Sequence, residues 1–78
     1  MKLTYDPKYN IAYLQVGKKH GEVQTVHISD SLNMDLSADG SLYGIELLNA
    51  NKQLFEKGEA SFIFENKANK KSKEVSFA

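Results

Sequence analysis

The stretch DLSADGSLYGIE, residues 35–46, decides how the rest of this 78-residue chain is read. Asp35, Ser37, Asp39, Gly40, Leu42 and Glu46 occupy the first, third, fifth, sixth, eighth and twelfth places of a calcium-binding EF-hand loop. The same letters spell a β-hairpin, because Asp-Gly is the strongest short signal for a tight turn between strands. Register separates the two readings. With Asp39 and Gly40 as the two loop residues, Ala38 faces Ser41, Leu36 faces Tyr43, Met34 faces Ile45 and Leu32 faces Leu47. Apolar residues then meet apolar partners on one face, while Asn33 meets Glu46 and Asp35 meets Gly44 on the other. A slip of one residue destroys that sorting. An EF-hand also needs an amphipathic helix entering its loop, whereas Val26, Ile28, Leu32 and Met34 recur at even spacing, as in strands. The spacing predicts the hairpin.

Period-two patterning extends outward from there. MKLTY alternates Met1, Leu3 and Tyr5 with polar residues, and DPKYN is turn chemistry with Pro7 presetting φ. IAYLQV (11–16) and VQTVHI (23–28) are further strands, separated by a polar loop, GKKHGE (17–22), in which His20 is a surface histidine. After residue 48 the pattern changes. Asn49 is placed to N-cap a short helix over ANKQLFEK, and Gly58 to close it. ASFIFE (60–65) and EVSFA (74–78) are strand-like and flank a lysine-rich turn. The expected fold is α+β: an antiparallel β-meander of about five strands, with one short helix on the face of Leu3, Leu14, Val26, Met34 and Ile45. A C-terminal β-hairpin extends or covers the sheet. Residues 1–57 form the meander and helix, and 58–78 a hairpin extension of the same single domain.

Composition bounds the function. Ten basic and ten acidic residues leave no formal net charge, which argues against a nucleic-acid binder. Lys67, Lys70, Lys71 and Lys73 have Glu65 and Glu74 beside them and form a solvated turn. No stretch approaches the roughly 18 apolar residues of a membrane span, and the N-terminus lacks the apolar core of a signal peptide, so a cytoplasmic protein is expected. Without cysteine, stability rests on burying the 41% apolar content. No nucleophile elbow and no glycine-rich phosphate loop occurs, and no cofactor is implied.

A three-residue loop at Ser29-Asp30-Ser31 extends the register across the third strand, setting Ile28 opposite Leu32, Val26 opposite Met34, His27 opposite Asn33 and Asn33 opposite Glu46, with Thr25, Asp35 and Gly44 in the next row. His27, Asp35 and Glu46 are the candidate metal ligands or acid/base groups, weighed against the solvated face of a sheet. Ile11, Tyr13 and Leu42 fall on the same face, and several apolar residues there predict a cover. Either the C-terminal hairpin, with Phe62, Ile63, Phe64, Val75 and Phe77, or a second copy of the chain can provide it. The second copy is favoured, so a non-enzymatic, self-associating interaction module is the leading reading.

The order of motifs resembles the YuzE-like family of small prokaryotic proteins, domain-of-unknown-function family 2283. The resemblance rests on Tyr5, Asp6, Pro7, Ala12, Tyr13, Leu14, Asp35, Asp39, Gly40, Gly44, Ile45, Glu46, Leu48 and Ala50. Asn10 stands where members often carry an acidic residue, and residues 56–78 extend past the usual domain. The resemblance implies a compact domain of bacterial or phage cytoplasm with no assigned activity. It also implies an antitoxin-like role beside a small toxin-like partner.

Overall fold

A computed structural model describes residues 1–18 and 21–77; His20 and Ala78 lie outside the described residues. The elements are β1 (Lys2–Asp6), β2 (Ile11–Gln15), β3 (Gln24–Ser29), β4 (Leu32–Leu36), β5 (Leu42–Leu48), α1 (Ala50–Leu54), β6 (Ser61–Asn66) and β7 (Lys71–Ser76). The class is α+β, with an antiparallel five-stranded sheet, one short helix and a C-terminal hairpin.

Strand order is β1-β2-β5-β4-β3, so the meander is broken once: β2 pairs with β5, and the chain crosses to the far edge to begin β3. The reason lies in β5. LYGIELL is the longest strand and carries apolar residues on both faces, which suits the centre of a sheet better than an edge.

Two hairpins then share one register. Met34 pairs with Ile45 and Val26, and Ile45 pairs with Leu14, which faces Leu3. These five residues form one apolar row across five strands, the row the spacing predicts. Opposite it, Thr4, Tyr13, Glu46, Asn33 and His27 form a polar row.

The turns depart from expectation by one residue each. Asp39-Gly40 is not a two-residue turn: Ser37 N–H donates to Ser41 O at 2.8 Å and Gly40 N–H to Ser37 O at 2.9 Å. That makes Ala38-Asp39-Gly40 a three-residue loop, with only Gly40 at positive φ (86°). Leu36 therefore pairs with Leu42 rather than Tyr43, and a bulge at Tyr43 restores the register by Asp35↔Gly44. Likewise Ser29 pairs with Leu32, and a bulge at Ile28 restores His27↔Asn33. The mirror-image turn with two positive φ values occurs at Lys57-Gly58 (54° and 80°), between the mutually bonded Glu56 and Glu59.

α1 ends at Leu54 instead of running to residue 57 because Phe55 is already extended (φ −106°, ψ 132°), leading the chain into that turn. Nor is Asn49 the cap. At φ 54° it makes no side-chain cap bond. The cap comes from Asn10, in the turn between β1 and β2. Its Oδ1 accepts from Asn51 N–H at 2.8 Å, its Nδ2 donates to Asn51 Oδ1 at 2.7 Å, and its carbonyl accepts from Ala50 N–H at 3.0 Å. Gln53 Nε2 adds bonds to the carbonyls of Leu48 and Ser31. So fixed, α1 lies over one end of the apolar face, where Ala12 and Ala50 are fully buried and Phe55 meets Tyr5 edge-on at 5.4 Å.

The C-terminal hairpin neither extends nor covers the sheet. β6 and β7 form a separate two-stranded sheet, and every residue of both strands is exposed. Its turn repeats the first one: Ala68 N–H bonds Asn66 Oδ1, and Lys70 takes the left-handed conformation, as Lys8 N–H bonds Asp6 Oδ1 and Asn10 does in the β1–β2 turn.

Asn10 carries both a left-handed backbone and the helix cap. Asn10→Gly keeps the first and loses the second, and is expected to cost about 1 kcal/mol in urea unfolding. Asn10→Ala loses both and should cost about 1–2 kcal/mol more.

Candidate functional site

The polar face is built from two short hydrogen-bonded chains lying across the strands. In the first, Asp35 on β4 accepts from the Tyr13 hydroxyl through Oδ2 and from the Thr25 hydroxyl through Oδ1, both at 2.6 Å. Thr25 is the direct cross-strand neighbour of Asp35, but Tyr13 is on β2, with β5 between them. Its ring reaches Asp35 by lying over Gly44. A Cβ built on Gly44 would collide with the Tyr13 hydroxyl and ring. Here the glycine inside a strand marks a close approach of an aromatic side chain rather than a special backbone angle. The Tyr43 ring, on the bulge, sits 6.4 Å from that of Tyr13.

In the second chain, Asn33 Nδ2 donates to Glu46 Oε1 and Asn33 Oδ1 meets His27 Nδ1, both at 2.9 Å. A carboxylate accepts only, so Glu46 turns the Asn33 amide nitrogen toward itself and leaves the amide oxygen for the histidine. Nδ1 is then the protonated nitrogen of His27.

The candidate residues His27, Asp35 and Glu46 thus share one face, in the adjacent rows that the register predicts. They do not converge. Asn33 stands between His27 and Glu46, while Asp35 is committed to Tyr13 and Thr25. Among the described residues, no group of three His, Cys, Asp or Glu side chains is placed to hold a metal ion. Of the other candidates, Ile11 sits opposite Leu48, Tyr13 joins the network, and the bulge sets Leu42 opposite Leu36. Sequence reasoning gave Tyr13 and Gly44 no joint role. The signal was present, an interior strand glycine with an aromatic on a strand that proves adjacent, but using it required knowing that β2 pairs with β5.

Burial foremost, and then the hydrogen bond to Asp35 and the negative charges nearby, push the Tyr13 phenol well above its ordinary pKa. The folded state therefore holds this proton when the unfolded state releases it. Its contribution to stability is complete below pH about 10 and declines as pH rises from there toward the folded value. Alkaline unfolding followed at 295 nm should show one phenol ionising with the loss of structure, and Tyr13→Phe should remove that component. Gly44→Ala should destabilise the fold by about 1–3 kcal/mol through overpacking, and by much less in a Tyr13→Leu background. A double-mutant cycle in urea reads this coupling directly.

No helix among the described residues is long and apolar enough to cross a membrane. The model of the family DUF2283, described as protein of unknown function, matches residues 2–51. No curated protein and no solved structure matches the chain. The matched segment contains the Tyr13–Gly44–Asp35 crossing, the buried Ala12 and Ala50, and the Asn33–Glu46 bond, and it ends at the second residue of α1. By that match over most of its length, the chain belongs to the DUF2283 family.

Proposed function

We propose that this protein is a non-enzymatic interaction module that works by self-association. The observation that carries the reading is an excess of exposed surface. The chain exposes 6215 Å², whereas a folded monomer of its 8.8 kDa mass exposes about 4,800 Å². The surplus, about 1,400 Å², is larger than the roughly 800 Å² that one partner contributes to a standard interface. The shape agrees: a slab 18 Å thick, with a radius of gyration of 14.1 Å against about 11.5 Å for a compact chain of this length.

Two apolar surfaces are open to a partner. In the apolar row, Leu14, Ile45, Met34 and Val26 are half-buried and Leu3 is 36% exposed. The hairpin presents Phe62, Phe64 and Val75, each about half exposed. Among the described residues, no side chain larger than alanine is fully buried. A chain that packs this little of its apolar content gains most from an apolar partner, and the partner always at hand is another copy. The polar face supplies rigidity, its carboxylates, amide and hydroxyls being bonded to one another.

Sedimentation equilibrium should give twice 8.8 kDa. The melting temperature should rise by a few degrees for each tenfold increase in concentration, because association stabilises the folded state by mass action. A single monomeric species at about 500 μM, a concentration at which even weak dimers form, overturns the proposal. A heteromeric complex with a small toxin-like partner, displacing the dimer, is the competing result and would replace self-association as the role.

A further inference from the structure

The C-terminal hairpin has two edges of unlike construction. β7 carries Lys71, Lys73 and Glu74, the kind of charge that keeps natural sheet edges from pairing with each other. β6, SFIFEN, carries one charge, Glu65, has no lysine or proline, and pairs with β7 without a bulge. Phe77 N–H donates to the carbonyl of Ala60 at 2.9 Å, which fixes the alternation of bonds along the hairpin. Phe62↔Val75 and Phe64↔Lys73 are the hydrogen-bonded pairs. The N–H and C=O groups of Ser61, Ile63 and Glu65 consequently point away from β7, toward a side where the sheet has no further strand.

We propose that β6 pairs antiparallel with β6 of a second copy, centred on Ile63. This deepens the self-association reading and rests on it, naming the strand and register. With Ile63 opposite Ile63, Ser61 falls opposite Glu65 and Glu65 opposite Ser61, so the outward N–H and C=O groups of these three residues all find partners. Phe62 falls opposite Phe64 in the pairs that exchange no bonds, where facing side chains approach closest and aromatic pairs stabilise most. The two-fold axis stands perpendicular to the sheet, so Phe62, Phe64 and Val75 of both copies share one face. The product is a four-stranded sheet, β7-β6-β6-β7. A two-stranded hairpin is marginal alone; three or more strands with an apolar face are not. The opposite edge does not offer this. Centring a copy on β7 sets Glu74 against Glu74, or Lys73 against Lys73.

The full chain contains no cysteine, so Ile63→Cys introduces a single thiol. Hydrogen-bonded antiparallel pairs place Cα atoms about 5.5 Å apart, within disulfide reach. Mild oxidation should therefore yield a disulfide-linked dimer from Ile63→Cys and little from Glu74→Cys. Ile63→Pro removes an outward N–H and should raise the dimer dissociation constant by about tenfold or more. Ser72→Pro removes the corresponding N–H of β7 and should leave the dimer intact. Far-UV circular dichroism of each variant checks that the five-stranded sheet persists. A wild-type dimer that survives Ile63→Pro and does not cross-link at position 63 overturns the β6 register while self-association stands. A monomeric wild type overturns both. If both proline variants dissociate, cross-linking at 63 but not 74 supports the register, and equal cross-linking at both overturns it.

Discussion

The pairing of β4 with β5 is the constraint from which the other features of the sheet follow. Met34 opposite Ile45 and Leu32 opposite Leu47 put apolar side chains on one face, and Asn33 opposite Glu46 puts polar ones on the other. A slip of one residue would send at least four large apolar side chains to the polar face, at about 1.5–3 kcal/mol for each that loses its burial. No turn preference is of that size. Both flanking turns therefore yield to the strand bodies: each loop is one residue out of phase, and one bulged residue, Tyr43 or Ile28, absorbs the difference. The bulge at Tyr43 has a second consequence. Its carbonyl accepts from both Val16 and Gly17 N–H groups of the chain leaving β2, so the irregularity is held from the neighbouring strand as well.

Joining β2 to β5 is what turns two separate hairpin units into one sheet. The Tyr13 ring bridges three strands over Gly44, and Asn10, from the turn preceding β2, holds α1 in place. Ala12 and Ala50, both without exposed surface, let helix and sheet approach closely. Three local oddities of the sequence thus acquire one explanation. A glycine inside a strand, an asparagine at the end of a turn and a short helix with an unsuitable cap residue are all devices of the β2 seam.

Much of the fold was legible in the chain because it follows from alternation, which strands cannot evade. The row Leu3, Leu14, Ile45, Met34 and Val26 and the pairing of His27, Asn33 and Glu46 are readable from spacing alone. Loop lengths were not, because a three-residue loop plus a bulge and a two-residue loop without one give the same register in the strand bodies. Strand order was not legible either, since nothing local to β2 says which later strand it meets. The helix boundaries failed for a related reason. Asn49 has the composition of a cap but a left-handed backbone, and the residue that does the capping lies 41 positions from Asn51. For the site, sequence placed His27, Asp35 and Glu46 on one face correctly. It could not reveal that Asn33, Thr25 and Tyr13 take up their hydrogen bonds, because convergence depends on side-chain reach rather than register.

The hairpin beyond the family segment follows a different logic from the sheet. Within residues 2–51 the polar row is hydrogen-bonded and bulges compensate turns, and the helix that follows is anchored through Asn51 and Gln53. β6 and β7 have their mutual backbone bonds and little else, although β6 carries two of the four phenylalanines, Phe62 and Phe64, and a third, Phe77, directly follows β7. Apolar side chains on a two-stranded ribbon that stay in water in both the folded and the unfolded state gain little from folding. Three of the four charged residues of the two strands, Lys71, Lys73 and Glu74, sit on β7, and three of the four large apolar ones, Phe62, Ile63 and Phe64, on β6, so the ribbon is asymmetric about its own long axis. That asymmetry sets the two edges of the hairpin apart, which exposure by itself does not, since both strands are exposed throughout.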